Sequence, residues 1–404
     1  MLRKLNLKTS LFYLYLFSFV IMTSNNVLAQ NLPRDHSRWI GDIEGAAVDE
    51  QQSGLVYEFK FHENGKVTVY KHMTVRKLEQ TFDWEMAGSD IKLIGDDNGP
   101  IGELASKTIT YVDDTRFAFK YVDGETDIEI KKSKPFISWL HVAFLFVLMF
   151  FGNELARRYK VAPYLIFFIL PIILTPIWLD SGLGWFRITK VYSALAAAIV
   201  FTLYRFNFGL NKFKWMGAVI AAVLAINIFE AVMQDWSQPD LPNMLNAFAG
   251  FLNIITIYHW STIKTDPKKP NDMLWPGMTV GWIIAYDIWN IVFVYLNFPN
   301  TVFYTAIAVI SAPTIAAIWI KKGTWMQARA YTLAIYMMYI CTSYMFDLDI
   351  TFTETLPRSE GIAWVLVGLS VAVNVIYAFF HFRYRFTGKA PQNLEVGQHE
   401  SVID

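Results

Sequence analysis

Two carboxylic acids lie inside long apolar segments, where an ionisable side chain is best placed to bind or move charge. Asp287 lies within the apolar segment 276–297, and Glu230 lies within 214–234. At the centre of a membrane helix a charged side chain costs about 2.5–3.5 kcal/mol, so such residues face protein or water. At about 1.5 Å per residue, Asp287 falls near the middle of its segment and Glu230 in the outer half. Both acids are therefore candidates to hold a cation or to exchange a proton.

Amide side chains accompany the two acids at helical spacing. Asn227 and Asn290 each lie three residues from one of the acids. One face of the segment 242–260 adds four residues with the spacing of a helix stripe, Asn243, Asn246, Gly250 and Asn253. We therefore expect one interior polar region, in which Gly250 leaves room for an ion, a water molecule or a substrate group. Its predicted lining is Asp287, Glu230, Asn290, Asn246, Asn253 and Asn227.

A packing role is the alternative for these residues. Amides join membrane helices through hydrogen bonds worth about 0.6 kcal/mol on average and up to about 2 kcal/mol. The asparagines alone favour that role. The acids need a partner, which is a proton, a bound cation or a basic side chain such as Arg187 or Lys190.

A cluster of mixed charge follows the first apolar segment and contains Glu154, Arg157 and Arg158. Basic residues at the end of a span anchor it on the cytoplasmic side. Glu154 and Arg158 also have the i,i+4 spacing of a helical ion pair. Anchoring of this helix end is the predicted role.

Motifs of known membrane enzymes are absent from the sequence. It contains no H-E-x-x-H, no G-x-S-x-G and no pair of histidines within one apolar segment. Tyr286-Asp287 is similar to the first motif of intramembrane aspartyl proteases. A second aspartate is missing there, because Asp235 and Asp347 fall at outer helix ends, more than about 10 Å away in depth. The single cysteine, Cys341, cannot form a thiolate cluster, and we expect no catalytic residue, no metal and no cofactor.

Nine apolar segments supply helices of about 17–25 residues, long enough to cross a bilayer. They are 136–152, 161–179, 189–206, 214–234, 242–260, 276–297, 301–320, 325–346 and 360–382. Lys and Arg are concentrated in the loops after the odd-numbered segments, which the positive-inside rule assigns to the cytoplasm. The sequence therefore predicts an all-α polytopic membrane domain over 133–385 and a cytoplasmic polar tail, 386–404. A composition that is 54% hydrophobic with zero net charge favours the lipid bilayer as partner and excludes nucleic acid.

The N-terminal third predicts an exported β domain. Residues 1–29 have the basic start, apolar run and small-residue end of a signal peptide, with cleavage expected after Ala29, although an uncleaved anchor is the alternative. Over 30–132, runs such as Tyr57, Phe59 and Phe61 alternate with polar residues, and tight turns separate about eight such strands. The pattern, with Trp39 opening the first strand, resembles the small lipocalin-like barrels of bacterial envelope proteins. Such a barrel either binds a small apolar ligand or is filled by its own side chains.

Seven stretches of the helical region carry a further resemblance. They are NELARRYK (153–160), KVYSA (190–194), AINIFEAV (225–232), NAFAGFLNIITI (246–257), NDMLWP (271–276), WIIAYDIWN (282–290) and KGTWMQARAYTLA (322–334). These stretches resemble an uncharacterised bacterial family of multi-pass membrane proteins, classed as a domain of unknown function. The resemblance covers nearly all of 136–385 and implies that the periplasmic barrel is a fusion. It adds weight to Glu154, Arg157, Arg158, Glu230 and Asp287 as sites, without assigning a role or a substrate.

Three classes of function stay open for a protein of the bacterial inner membrane. A transporter or channel for an ion or small polar solute is favoured by the intramembrane acids and amides, with a cation or proton as partner. An envelope sensor is favoured by the fusion, with a small apolar ligand or an envelope partner at the barrel. A non-catalytic membrane assembly factor is favoured by the lack of catalytic motifs. The transporter or channel is the primary expectation.

Overall fold

The computed structural model of the chain describes residues 38–42, 56–62, 64–72, 77–88, 90–113, 116–120, 127–132, 135–180, 185–206, 209–238, 240–298, 303–343 and 359–387. The predicted signal peptide, its cleavage site and the tail beyond residue 387 lie outside the described residues.

Eight antiparallel strands form the N-terminal sheet. They are β1 (Arg38–Asp42), β2 (Val56–Phe61), β3 (Lys66–His72), β4 (Lys77–Ala87), β5 (Asp90–Ile94), β6 (Thr108–Asp113), β7 (Arg116–Lys120) and β8 (Asp127–Lys132). Each strand pairs with the next, and β1 also pairs with β8, where Trp39 lies opposite Lys132. The sheet therefore closes on itself in the order that the sequence alternation predicts.

Side chains fill the interior of this sheet. Alternate residues of the strands point inward and are at most 3% exposed, among them Tyr57, Phe59, Phe61, Val67, Val69, Phe82, Ile91, Leu93, Ile109, Phe117, Phe119, Ile128 and Ile130. Tyr111 departs from the alternation and is 37% exposed, because a bulge between Tyr111 and Asp113 shifts the register of β6 against β7. Of the two barrel interpretations, the described strands favour the packed interior.

The glycine-rich stretch 95–102 covers one end of the sheet together with a short 3₁₀ helix, Gly102–Leu104. Ile101 and Leu104 are buried in the interior cluster. Beside them, Glu103 accepts hydrogen bonds from Tyr57 Oη (3.0 Å) and Lys71 Nζ (2.5 Å). We name residues 95–104 the lid segment.

Nine helices joined by loops follow the sheet in the described chain, close to the nine predicted segments. They are α1 (Pro135–Arg158), α2 (161–180, with a π turn at Leu165–Ile169), α3 (Trp185–Arg205), α4 (Met216–Ser237), α5 (Leu241–Ile255), α6 (Val280–Asn297), α7 (303–320, with a π turn at Ala316–Ile320), α8 (Trp325–Ser343) and α9 (Glu360–Thr387). By length and apolarity, α1, α2, α3, α4, α6 and α9 each contain a candidate membrane span, and α5 and α7 are shorter apolar helices. The helical region with six candidate spans is thus observed, whereas nine spans remain an expectation.

Two of the predicted segments are helical over only part of their length. The segment 242–260 is helical only to Ile255, and Thr256 has already left the helical conformation (φ −97°, ψ 4°), with its Oγ1 donating to the carbonyl oxygen of Leu252 (2.7 Å). The segment 276–297 becomes helical at Val280, where Thr279 caps the helix by accepting from Trp282 N (3.1 Å). Between them, residues 256–279 fold back through a short hairpin, Lys264–Thr265 with Met273–Leu274.

The basic helix ends meet at one end of the helical region. The loop 256–279 contacts α1 through Arg157 and Asp272 (3.1 Å), and contacts the α7–α8 loop through Asp266 and Lys321 (3.0 Å). Arg385 of α9 lies 5.3 Å from the ring of Tyr258 in the same loop. This arrangement is the one that the alternation of basic loops predicts. Within the region, α5 packs against α4, α6 and α9, and α8 packs against α1, α3 and α7.

Candidate functional site

Asp287 lies at the contact of three helices. Its Oδ2 atom accepts a hydrogen bond from Thr314 Oγ1 of α7 (2.6 Å), and Trp325 Nε1 of α8 donates to the same hydroxyl (2.9 Å). Its other oxygen, Oδ1, is out of contact with solvent and has no hydrogen-bond partner among the described residues. Buried polar groups are nearly always paired with protein or water, so this carboxylate has one oxygen held and one available.

A buried guanidinium belongs to the same region. Arg329 of α8 is 9% exposed, and its Nε and Nη1 atoms have no hydrogen-bond partner in the described part of the chain. The charge of Arg329 acts on the Asp287 carboxylate. The free Oδ1 of Asp287 and these two nitrogens are not bonded to one another. The pair thus presents an acceptor and two donors, complementary to water or to a small polar molecule.

Aromatic rings pack against one another next to Asp287 and its partner Thr314. The ring of Tyr286 lies 5.0 Å from that of Trp325 and 5.5 Å from that of Trp282. These rings are at most 2% exposed. A low-polarity surrounding strengthens the interactions of any ion or dipole that binds there.

The structure does not bring the predicted amides to Asp287. Asn290 donates to Tyr286 Oη on its own helix (3.0 Å), and Asn246 donates to Asp235 Oδ2 (2.7 Å). Asn253 donates to the carbonyl oxygen of Ala249 over 3.4 Å, and its Oδ1 has no partner among the described residues. The predicted single polar region is therefore divided among separate contacts.

The expectation that Gly250 leaves room for an ion is wrong. A Cβ atom on Gly250 would lie 2.6 Å from Trp289 Nε1 and 2.6 Å from Val232 Cγ2. Trp289 Nε1 donates to the carbonyl oxygen of Asn246 (3.1 Å). The glycine thus allows α5 to approach the indole of α6, and the space is filled by protein.

Glu230 and Asn227 lie on the outer face of α4, away from Asp287. Both residues are exposed, and the Glu230 side chain is 49% accessible. Lys190 of α3 donates a hydrogen bond to Glu230 Oε1. The side chain of Arg187, the other basic partner considered, lies outside the described part. Glu230 therefore has its counter-charge on the surface and takes no part in the interior site.

A second buried carboxylate, Asp235, lies near the far end of the same helix α4. Its side chain is 0% exposed. Its Oδ1 accepts from Asn243 (2.9 Å) and Asn297 (2.7 Å), and its Oδ2 accepts from Asn246 (2.7 Å). Three amide donors on one carboxylate stabilise its charged form without a basic side chain. The network joins α4, α5 and α6, and Ser370 extends it to α9 through Asn246 Oδ1 (2.8 Å).

The predicted helix-end cluster is part of a larger buried network. The i,i+4 pair is present, with Arg158 Nε donating to Glu154 Oε2 (2.9 Å). Arg157 also binds Glu154 with two hydrogen bonds (2.9 and 2.8 Å) and reaches Asp272 Oδ2 (3.1 Å). Asp272 lies 3.5 Å from Arg205, and both are 0% exposed. The buried acids and bases are balanced in number here. The ion pairs therefore hold the end of α1 against the loop 256–279, which is a structural role.

Sequence reasoning missed several of these residues for identifiable reasons. Depth along the helix predicts Asp235 at an outer helix end, although Asn243 and Asn246, at helical spacing just after it, are a signal for a buried acceptor. The sequence places Arg329 among the basic residues that follow the seventh apolar segment, whereas the structure buries it to 9% exposure. A tryptophan at the start of an apolar segment is typical of a membrane interface, but Trp325 is 1% exposed and donates to Thr314.

Within the part of the chain that the structure describes, no group of three or more His, Cys, Asp and Glu side chains is placed to hold a metal ion. Cys341 is buried. The described group best suited to a monovalent cation or a proton is the available oxygen of Asp287.

Comparisons with known proteins place the helical region in a family. No curated protein and no solved structure matches the chain. One family model does match, and it spans residues 132–400, which includes the whole helical region and leaves out nearly all of the β-sheet domain. The chain therefore belongs to the family of unknown function DUF5692.

Proposed function

We propose that the helical region is an inner-membrane domain whose basic helix ends face the cytoplasm, with the lipocalin-like β-sheet domain in the periplasm. Six candidate spans and the meeting of the basic loops at one end support this orientation. Reporter fusions after Lys160, Lys214, Lys269, Lys322 and Arg385 should all give cytoplasmic signals. One clear periplasmic signal among them would contradict the orientation.

Within this membrane domain we propose a transporter or channel for an ion or small polar solute, with Asp287 as its binding site. The observation that carries the proposal is the available Oδ1 of Asp287 within the electrostatic reach of Arg329, whose Nε and Nη1 atoms have no partner among the described residues. A structural ion pair brings its two charges into contact, as Arg157 and Glu154 do. Asp287 and Arg329 instead keep their free groups apart, which leaves them available to water, a proton or a solute.

The irregular geometry of α7 around Thr314 supports the proposal that this site can move. Thr314 follows Pro313 within α7, and proline removes a main-chain donor from a helix. The π turn Ala316–Ile320 follows directly, and such turns are frequent at functional sites. The residue that holds Asp287 Oδ2 thus lies in the least regular part of its helix.

The test measures thermal unfolding of the purified full-length protein between about pH 5 and pH 8, in Na⁺, K⁺ or choline salts and with small polar solutes. A ligand of the folded state at about 100 times its Kd raises the free energy of unfolding by about 2.7 kcal/mol. Asp287→Asn should abolish that response, because it keeps the shape and removes the charge. Glu230→Gln is the matched control, since it removes an exposed carboxylate from another helix, and it should keep the response.

Equal responses of wild type and Asp287→Asn under all these conditions would show a structural site. In that case the assembly-factor alternative becomes the better one. The sensor alternative needs a ligand space in the barrel, and the interior of the described strands is filled by aromatic and aliphatic side chains.

A further inference from the structure

A cavity of about 1020 Å³ lies at the basic end of the helical region, apart from Asp287. The loop 256–279, the ends of α7 and α9, and the loop after α7 form its walls. Two hydrogen bonds of Trp275 hold the loop in place. Its Nε1 donates to the carbonyl oxygen of Tyr258 (3.1 Å), and its main-chain N donates to the carbonyl oxygen of Gly323 (2.9 Å). Gly277 lies so close to His259 that a Cβ atom there would be 2.1 Å from His259 Cβ. The cavity is thus bounded by ordered, close-packed backbone.

The lining carries an excess of positive charge. Four lysines contribute to it, with Asp266 as the one acid among the described lining residues. Asp266 is already engaged, through Lys321 Nζ (3.0 Å) and the main-chain N–H of Lys268 (2.9 Å). Burial alone would raise the pKa of Asp266. These contacts lower the pKa by more than burial raises it, so the net pKa is below the usual value. Lys264 and Lys322 have no ion-pair partner in the described part of the chain and remain available to an anion.

A histidine with one unpartnered ring nitrogen lines the same cavity. His381 of α9 is 8% exposed, and its Nε2 has no hydrogen-bond partner among the described residues. Its ring lies edge-on to Tyr258, with centroids 5.3 Å apart. A buried ring nitrogen without a partner is a hydrogen-bonding group left for a ligand.

One side of the cavity is apolar and open to the surroundings of the helices. Trp319 is 72% exposed, Ile320 is 42% exposed and Phe380 is 39% exposed, and all three are lining residues. In a membrane protein such a surface faces the acyl chains. Basic pockets between helices on the cytoplasmic side bind anionic lipid headgroups.

We propose that this cavity binds the phosphate headgroup of an anionic phospholipid, with Lys264, Lys322 and His381 at the phosphate and the acyl chains along Trp319 and Phe380. The proposal goes beyond the Asp287 site and rests only on the membrane insertion proposed above. A free phosphate or a nucleotide shares the headgroup chemistry but leaves the exposed apolar wall uncovered.

The experiment titrates the full-length protein in detergent with four probes and follows its melting temperature. The probes are a short-chain phosphatidylglycerol, phosphatidylcholine of the same chain length, inorganic phosphate and ATP. Phosphatidylglycerol should raise the melting temperature saturably, and the other three should not. The double variant Lys264→Gln/Lys322→Gln should weaken phosphatidylglycerol binding by at least about tenfold, because each basic residue near an anionic lipid contributes about 1 kcal/mol.

Controls separate this site from general charge effects and from the Asp287 proposal. Lys212→Gln/Lys214→Gln removes two lysines from another loop at the same end and should keep wild-type binding. His381→Phe keeps an aromatic ring at this position and removes Nε2, so it should weaken phosphatidylglycerol binding. It tests the site independently if the double lysine variant does not fold. Asp287→Asn should bind phosphatidylglycerol as wild type does, which makes the two proposals independent. Equal response to both lipids, unchanged binding by the variants, or saturation by phosphate or ATP would overturn the proposal.

Discussion

Arg205 lies beneath the C-terminal end of α1 and donates a hydrogen bond from Nη2 to the main-chain carbonyl oxygen of Arg157 over 2.6 Å. Its Nη1 reaches the carbonyl oxygen of Ala156 (2.9 Å) and the hydroxyl of Tyr331 (3.1 Å). The last carbonyls of a helix have no partner within it, and a cation there also complements the helix dipole. A residue of α3 thus completes the end of α1 and, through Asp272, ties the loop 256–279 to both helices.

Replacing Arg205 should strongly destabilise the helical region. Arg205→Gln leaves Asp272 buried without this charge partner, and breaking a buried ion pair costs about 3–5 kcal/mol. Arg205→Lys should also destabilise, because an ammonium group lacks the planar fork that reaches several carbonyls at once. The melting temperature of the purified protein is the measurement. Arg158→Gln is the control: its side chain is 57% exposed, and a change of more than about 1 kcal/mol there would contradict the distinction between buried and surface charge.

Gly250 should not tolerate a side chain. Gly250→Val forces α5 away from Trp289 and Val232, and overpacking of this kind costs about 1–3 kcal/mol. Gly368→Ala on α9 is the matched control, since nothing lies within 4 Å of a Cβ atom built there. Both variants are compared with wild type by thermal unfolding. A stable Gly250→Val protein would restore the hypothesis that this glycine lines an open space.

The carboxylate of Asp235 should be needed for the contact of α4, α5 and α6. Asp235→Asn exchanges one acceptor oxygen for an amide donor, which then faces the amide donors of Asn243, Asn246 or Asn297. Hydrogen bonds to charged groups contribute about 1.5–3 kcal/mol each, so the melting temperature should fall well below that of wild type. Glu360→Gln, at the exposed start of α9, should have little effect. An unchanged melting temperature for Asp235→Asn would mean that the acid is already protonated in the folded protein.

The lid segment should loosen in acid. Burial alone would raise the pKa of Glu103. Its hydrogen bonds and the charge of Lys71 lower the pKa by more than burial raises it, so the net pKa lies below the ordinary value of 4.5. A depressed pKa in the folded state contributes stability that is fully present above pH 4.5 and is lost as the pH falls through the folded-state pKa. The protection of the amides of residues 95–104 against hydrogen exchange, relative to their intrinsic rates at each pH, should therefore fall below that pH in the full-length protein. Glu103→Gln should exchange faster already at neutral pH and lose the acid dependence, whereas Glu85→Gln, which is 57% exposed on its side chain, should behave as wild type.

The sequence by itself determined the elements and their order. Alternation with a period of two identifies β2 to β5 and β7 because one face of each strand must be buried, and that period is local. The nine apolar segments correspond to nine helices for the same reason, since length and hydropathy are properties of each segment alone. The meeting of basic loops at one end follows from connectivity, because successive helices that cross the same layer alternate in direction.

Only the tertiary structure decided which acids are interior. Glu230 and Asp235 are five residues apart on α4, so at about 100° per residue their side chains diverge by about 140°. Both faces of α4 are apolar, so the sequence of α4 itself contains no signal for the rotation of the helix, and the only hint is the asparagine spacing of α5. Packing against α5 turned Asp235 inward to three asparagines and left Glu230 outside with Lys190. The partners of Asp287 were equally hidden, because Thr314 and Arg329 lie 27 and 42 residues further along the chain and only the folded arrangement of α6, α7 and α8 brings them together.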